Sequence, residues 1–90
     1  MVWDERKRAS NLKKHGVDFA IVQNFNFETA LVLRDDRKNY GEVRYRAFGM
    51  INGRLHALAF TRREGRVRVI SLRKSNAREI ATYAASKKSS

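Results

Sequence analysis

Apolar and polar residues alternate with a period of two through the second half of the chain, which predicts strands over 43–51, 54–62 and 66–72. A shorter apolar run, TALVL at 29–33, predicts a fourth strand, and the polar stretch RDDRKNYGE after it reads as a loop. Asn52-Gly53 joins two of the strands and is a strong hairpin signal for a type I′ turn; Glu64-Gly65 makes a second tight turn. The N-terminal part has helical spacing instead. Residues 3–15 predict a helix with Asp4 and Glu5 at its start, Lys13, Lys14 and His15 at its end, and Gly16 as its stop. Its apolar content is thin: Trp3, Ala9 and Leu12. A second short helix begins around Val17-Asp18-Phe19, with Asp18 as N-cap, Val17 stapled to Val22, and Phe19, Val22 and Phe25 toward the core. Asn76 followed by Glu79 forms a capping box for a last helix over about 76–86, with Ala77, Ile80, Ala81 and Ala84 on its inner side. These elements predict an α+β fold: a small four-stranded antiparallel sheet, two N-terminal helices and one C-terminal helix, in one domain over 1–86 with a frayed basic tail at 87–90.

Two-residue turns fix which side chains share a face of the sheet. Met50 then opposes Leu55, Arg44 opposes Thr61, Thr61 opposes Arg68, and His56 opposes Arg73. One face carries Phe48, Met50, Leu55, Ala57, Ala59, Ile70 and Leu72, and ends in a row of Arg44, Thr61 and Arg68 with Arg46 beside it. The other face carries Val43, Tyr45, Leu58, Phe60, Val67 and Val69, with His56 and Arg73 toward one end. Like charges opposed on a sheet repel, so the Arg44–Arg68 row requires an anion. Two readings stand. Either an acid such as Glu42 or Glu28 pins the arginines internally, or the row cradles a phosphate, whose oxygens suit the guanidinium fork.

Charge bears on that choice. Twenty Lys+Arg against nine Asp+Glu give a formal net charge of +11. Such a field attracts nucleic acid, an acidic membrane or an acidic protein, and in its plainest form keeps a surface soluble. The first helix lacks the apolar face that membrane binding needs. No apolar run approaches the roughly 18 residues of a membrane span, and MVWDERKR is not read as a signal peptide. There is no cysteine, which suits a reducing cytoplasm, and no His/Asp/Glu spacing resembles a metal site. No cofactor is expected. Asp35-Asp36 is the one pair of adjacent aspartates and reads as solvated between arginines.

Three further features have two readings each. Trp3, Lys7, Asn11 and Lys14 form one stripe of the first helix, a solvated face or a ligand-facing one. His15 is a helix C-terminal cap or, made neutral by the surrounding positive charge, a general base. Tyr83 either packs or takes part in chemistry.

Four blocks resemble the BrnT family of ribonuclease toxins from bacterial type II toxin–antitoxin pairs: WDERKRASNLKKHGVDF at 3–19, YGEVRYRAFG at 40–49, LAFTRREGRVRVISLRKS at 58–75 and REIATY at 78–83. The matching positions are Trp3-Asp4, Lys7, Asn11, Lys14-His15-Gly16, Phe19, Glu42, Arg44, Gly49, Arg68, Ser71, Arg73, Glu79 and Tyr83, while Leu72 and Ser75 stand where alanine is expected. The resemblance implies a RelE-like fold and metal-independent RNA cleavage. It also implies a BrnA-type antitoxin whose ribbon-helix-helix part binds operator DNA, so that the toxin meets DNA only through its partner. In such a reaction the 2′-hydroxyl attacks the adjacent phosphorus. That step needs a base, a proton donor for the leaving 5′-oxygen and positive charge between them. Arg44, Arg68 and Arg73, joined by Lys7, are the expected charge stabilisers; His15 or Glu42 is the base and Tyr83 the donor or a positioning group. Arg73 is the weakest of these, because the register puts it on the face opposite Arg44. Two alternatives remain: a basic RNA-binding module without catalysis, and a basic module for an acidic partner.

Overall fold

The computed structural model describes residues 1–88. In chain order the elements are β1 (Val2–Trp3), α1 (Glu5–His15), a 3₁₀ helix (Phe19–Asn24), β2 (Leu31–Arg34), β3 (Arg44–Ile51), β4 (Arg54–Arg63), β5 (Arg66–Lys74) and α2 (Ala77–Lys88). The strands form one sheet in the order β1-β5-β4-β3-β2. Strands β2 to β5 are antiparallel, as their turns require; β1 adds a fifth strand, parallel to β5, through Val2 opposite Arg68 and Trp3 opposite Val69. The sheet is therefore five-stranded and mixed rather than four-stranded and antiparallel. A two-residue strand has no period to read, and its pairing with β5 depends on residues more than sixty positions away.

Both hairpins turn as expected. Asn52 and Gly53 have φ of 49° and 82°, and Glu64 and Gly65 have 54° and 75°, the left-handed pairs of type I′ turns. Helix α1 starts at Glu5, later than its sequence suggests, because Trp3 belongs to β1 and Asp4 is the N-cap, accepting from the Arg6 N–H at 2.7 Å. The second helix is a 3₁₀ segment. Phe19, Val22 and Phe25 recur every three residues, which matches three residues per turn and brings all three into the core. Asp18 caps this segment through Ala20 N–H at 2.9 Å and holds Arg8 of α1 through two bonds of 2.8 and 3.0 Å.

The main core lies on one face of the sheet. Ala47, Ile51, Leu58, Phe60, Val69 and Leu72 meet Val17, Phe19, Val22 and Phe25 there. Gly49 faces this core without a side chain because a Cβ would lie 2.5 Å from the Phe25 ring. Leu72 corrects the expected register. Strict alternation from Val67 and Val69 would send Leu72 outward and Arg73 into the core. A β-bulge at Ile70 prevents this: Phe60 opposes Val69, Ala59 opposes Ser71, Leu58 opposes Leu72 and Ala57 opposes Arg73. His56 consequently opposes Lys74, not Arg73. It is buried, with Nδ1 2.8 Å from the Arg54 carbonyl oxygen.

Helix α2 sits on the other face, where Tyr83 packs against a small cluster of Phe48, Leu55 and Ala57. The capping box forms as read, with Asn76 N–H donating to Glu79 at 3.0 Å and Glu79 N–H to Asn76 at 2.9 Å. The inner side does not. Ala77, Ile80, Ala81 and Ala84 are exposed, and Glu79, Tyr83 and Ser86 face the sheet. The rotation follows from Arg73: once the bulge delivers its guanidinium to this face, Glu79 turns in to meet it. The helix continues through Lys88; of the tail expected at 87–90, Ser89 and Ser90 lie outside the described residues. Among the described residues, no helix is long and apolar enough to cross a membrane.

Candidate functional site

The bulge adds Arg73 to a face of the sheet that already carries Arg44, Arg46, Arg63, Arg66 and Arg68. Arg44, Thr61 and Arg68 form one row; Arg46, Ala59 and Ser71 the next; Phe48, Ala57 and Arg73 a third. Side chains on one face repeat every two residues, so neighbouring rows stand about 7 Å apart. The small residues Ala57, Ala59 and Ser71 floor a cleft of about 160 Å³, walled by Arg46, Arg73, Glu79 and Arg37 from the β2–β3 loop. Arg73 is thus not the outlier that simple alternation makes it.

The cations of this cleft differ in how far they are neutralised. Arg73 meets Glu79 through two bonds of 2.7 Å. This pairing holds the Glu79 carboxyl below the usual carboxylate range and raises the guanidinium. Arg37 meets Asp35 through two bonds of 2.8 Å, and Tyr40 donates to the same carboxylate at 3.1 Å. Asp35 is therefore not the solvated loop residue expected: its side chain is 4% exposed, and Arg37 holds its carboxyl far below the usual range. Asp36, beside it, is exposed with Arg34. Arg46 lies 5.9 Å from the Phe48 ring centroid, and its buried Nε–H has no hydrogen-bond partner among the described residues. Arg46 lines the cleft, and an orphaned donor on a guanidinium there is a feature that a bound anion would complete.

A second cleft, of about 300 Å³, opens between α1 and the bulge, and Lys7, Lys14, His15, Ile70 and Ser71 line it. Ser71 borders both clefts. His15 is half-buried; burial, reinforced by the charges of Lys14 and Arg73, lowers its pKa and favours the neutral imidazole. Asn11, which also lines this cleft, is not a solvated residue of the stripe. It is buried, donates to the carbonyls of Val17 at 3.0 Å and Leu72 at 2.7 Å, and accepts from Leu72 N–H at 3.1 Å. Beyond Trp3 the edge of β5 has lost its neighbour, and the Asn11 amide takes the place of a strand residue there. This contact fixes α1, and with it His15, against the bulge.

The expected site residues thus fall into three groups. Lys7, His15 and Arg73 are brought to the two clefts that share Ser71. Glu42, Arg44 and Arg68 lie farther along the same face. Glu42 accepts from Arg63 at 2.8 Å and from Arg44 at 3.4 Å, and both arginines lower its pKa, which makes it a poor base. Arg44 also stacks 4.2 Å over the Tyr40 ring. The Arg68 side chain makes no hydrogen bond or ion pair among the described residues and stands in the field of Asp4. Tyr83 packs under α2, with Lys87 5.1 Å over its ring. Arg46, Arg37 and Glu79 were not among the expected site residues. Arg46 shares the parity of Arg44 along β3, which is a readable signal; Arg37 comes from a loop and offers none.

Among the described residues, no group of three or more His, Cys, Asp and Glu could hold a metal ion. A small basic α+β chain with an arginine-walled cleft over a floor of small residues belongs to the class suited to a phosphate backbone. More specifically, residues 3–79 match the family described as the ribonuclease toxin, BrnT, of type II toxin–antitoxin systems, and the chain belongs to that family. Membership brings an RNA substrate and an antitoxin partner. No curated protein and no solved structure matches the chain.

Proposed function

We propose that this protein is a metal-independent endoribonuclease of RelE-like fold, its toxin domain spanning residues 1–86, and that its chemistry takes place where the two clefts meet at Ser71. Neutral His15 accepts the proton of the RNA 2′-hydroxyl. The 2′-oxygen bonds to the adjacent phosphorus, and the phosphorus–5′-oxygen bond breaks. Lys7, which lines the same cleft as His15, protonates the leaving oxygen. Arg46 and Arg73 bind the non-bridging oxygens as charge develops on them, and Arg44 and Arg68 hold phosphates farther along the strand. Tyr83 and Glu42 act as supports in this reading, Tyr83 by packing and Glu42 by orienting Arg44. The partner is a BrnA-type antitoxin with a ribbon-helix-helix part, which brings the pair to operator DNA. The site of action is the cytoplasm.

The observation that supports this reading best is the unpartnered Arg46 Nε beside Arg73, on the face that borders the His15 cleft. The test is incubation of the purified protein with RNA in EDTA, with products analysed for 2′,3′-cyclic phosphate ends. Arg46→Ala removes no ion pair among the described residues, and it is expected to abolish cleavage while circular dichroism shows the fold retained. RNA binding without cleavage, both with and without EDTA, would leave only a non-catalytic binding module, and cleavage only without EDTA would overturn metal independence.

A further inference from the structure

Arg73 already holds an anion. Its two terminal nitrogens each lie 2.7 Å from one oxygen of Glu79, the side-by-side arrangement in which a guanidinium takes two oxygens of a phosphodiester. Glu79 is therefore placed where the substrate phosphate of the proposed reaction belongs. We propose that Glu79 is an internal competitor for that phosphate, and that α2 is a lid which the RNA backbone lifts.

Three features of the helix suit a lid. Among its described residues none is buried, and Ile80, its largest aliphatic side chain, is 44% exposed. Its apolar hold on the sheet is Tyr83 against the Phe48 cluster, and at its far end Lys87 reaches the Thr29 carbonyl. Its start is a natural pivot: Ser75 N–H is tied to the Leu55 carbonyl at 3.0 Å, while among the described residues Asn76 is bonded only forward, into α2 itself.

The occupancy is also incomplete. A planar carboxylate satisfies Arg73 but leaves the Arg46 Nε of the same cleft without a partner. A tetrahedral phosphate presents oxygens in more than one direction and reaches both guanidinium groups. Phosphate therefore gains contacts that Glu79 does not make, and the closed state is displaceable rather than locked. An enzyme that cleaves RNA inside its own cell has a use for a site that is closed until a strand of several phosphates engages it.

This inference rests on the nuclease reading, and the experiment separates the two. A short 2′-O-methyl oligoribonucleotide, which lacks the nucleophile, is bound by wild type, Glu79→Gln and Glu28→Gln and followed by fluorescence anisotropy. Glu28 is an exposed residue, so Glu28→Gln controls for the added net charge. Glu79→Gln is expected to bind about tenfold tighter than Glu28→Gln, because the competent fraction is no longer limited by the closed lid. Its α2 amide protons are expected to exchange faster. Glu79→Asp keeps the net charge but falls one methylene short of Arg73; it is expected to show the same tightening and serves if the glutamine variant does not fold. Binding by both Glu79 variants that is no tighter than by the control overturns the lid while leaving a nuclease that still cleaves unblocked RNA. Failure of every form to bind and cleave RNA overturns both proposals.

Discussion

Replacing Asn11 with alanine removes three hydrogen bonds at the junction of α1, β5 and the bulge. The Leu72 N–H and C=O both point to Asn11, away from β4, at a residue that is 0% exposed. The Val17 carbonyl is the third group left unpaired. A buried polar group without a partner costs about 1–3 kcal/mol, and an under-satisfied carbonyl costs less than an orphaned N–H. The three together give a loss of about 3–4 kcal/mol, from which the better helix propensity of alanine returns about 0.7 kcal/mol. A net loss near 3 kcal/mol corresponds to a fall in melting temperature of roughly 12–24 °C for a domain of this size. Urea denaturation followed by circular dichroism measures it, with an unchanged m-value as the sign that stability alone has moved. Asn11→Asp is the sharper probe. It keeps the acceptor for Leu72 N–H but turns a second oxygen toward two carbonyls, so it is expected to be less stable than the alanine variant at pH 7. A loss below about 0.5 kcal/mol for alanine, or an aspartate variant as stable as wild type, would refute the role of Asn11 as a substitute strand residue.

Gly49→Ala drives a methyl group against the Phe25 ring and should cost about 1–3 kcal/mol by overpacking; the same urea titration reads it, and a neutral result means the ring moves freely. Arg68→Ala is expected to weaken or abolish RNA cleavage while leaving the fold intact, because Arg68 makes no ion pair among the described residues; wild-type turnover in that variant removes the Arg44–Arg68 row from the site. The lowered pKa of His15 places the acid limb of the pH–rate profile below the ordinary imidazole value of about 6.5, and the limb should vanish, together with most of the rate, in His15→Ala. The stability consequence has a definite sign. The unfolded chain binds a proton at His15 more readily than the folded one, so this group's contribution to stability rises with pH up to about 6.5 and is level above it. The difference in melting temperature between wild type and His15→Ala, followed from pH 5 to 8, checks it; a difference that does not change with pH contradicts the depressed titration.

Local features were legible in the chain because local chemistry sets them. Asn52-Gly53 and Glu64-Gly65 fix the hairpins and the Arg44–Thr61–Arg68 row through their left-handed backbones. Asp4 and Asp18 cap their helices, and Asn76 and Glu79 cap each other. The bulge also had a trace, visible once the fold is known. Val67, Val69 and Leu72 are all core residues, and the three-residue step from Val69 to Leu72 breaks the period of two. Arg44, Arg68, His15 and Lys7 could be singled out by charge and position. Arg37 could not, because a loop has no period from which its direction follows.

From the sequence alone come the α+β class, the hairpin registers up to the bulge, the basic character and the resemblance to BrnT, since each depends on residues close in the chain or on totals over it. Tertiary structure decided the rest. It added β1 to the sheet, buried Asn11 and Asp35, moved Arg73 to the face of Arg46, and turned Glu79 inward. Each of these results from satisfying a backbone group or a charge with a partner that no local period points to, and the identity of that partner is settled only when the elements pack.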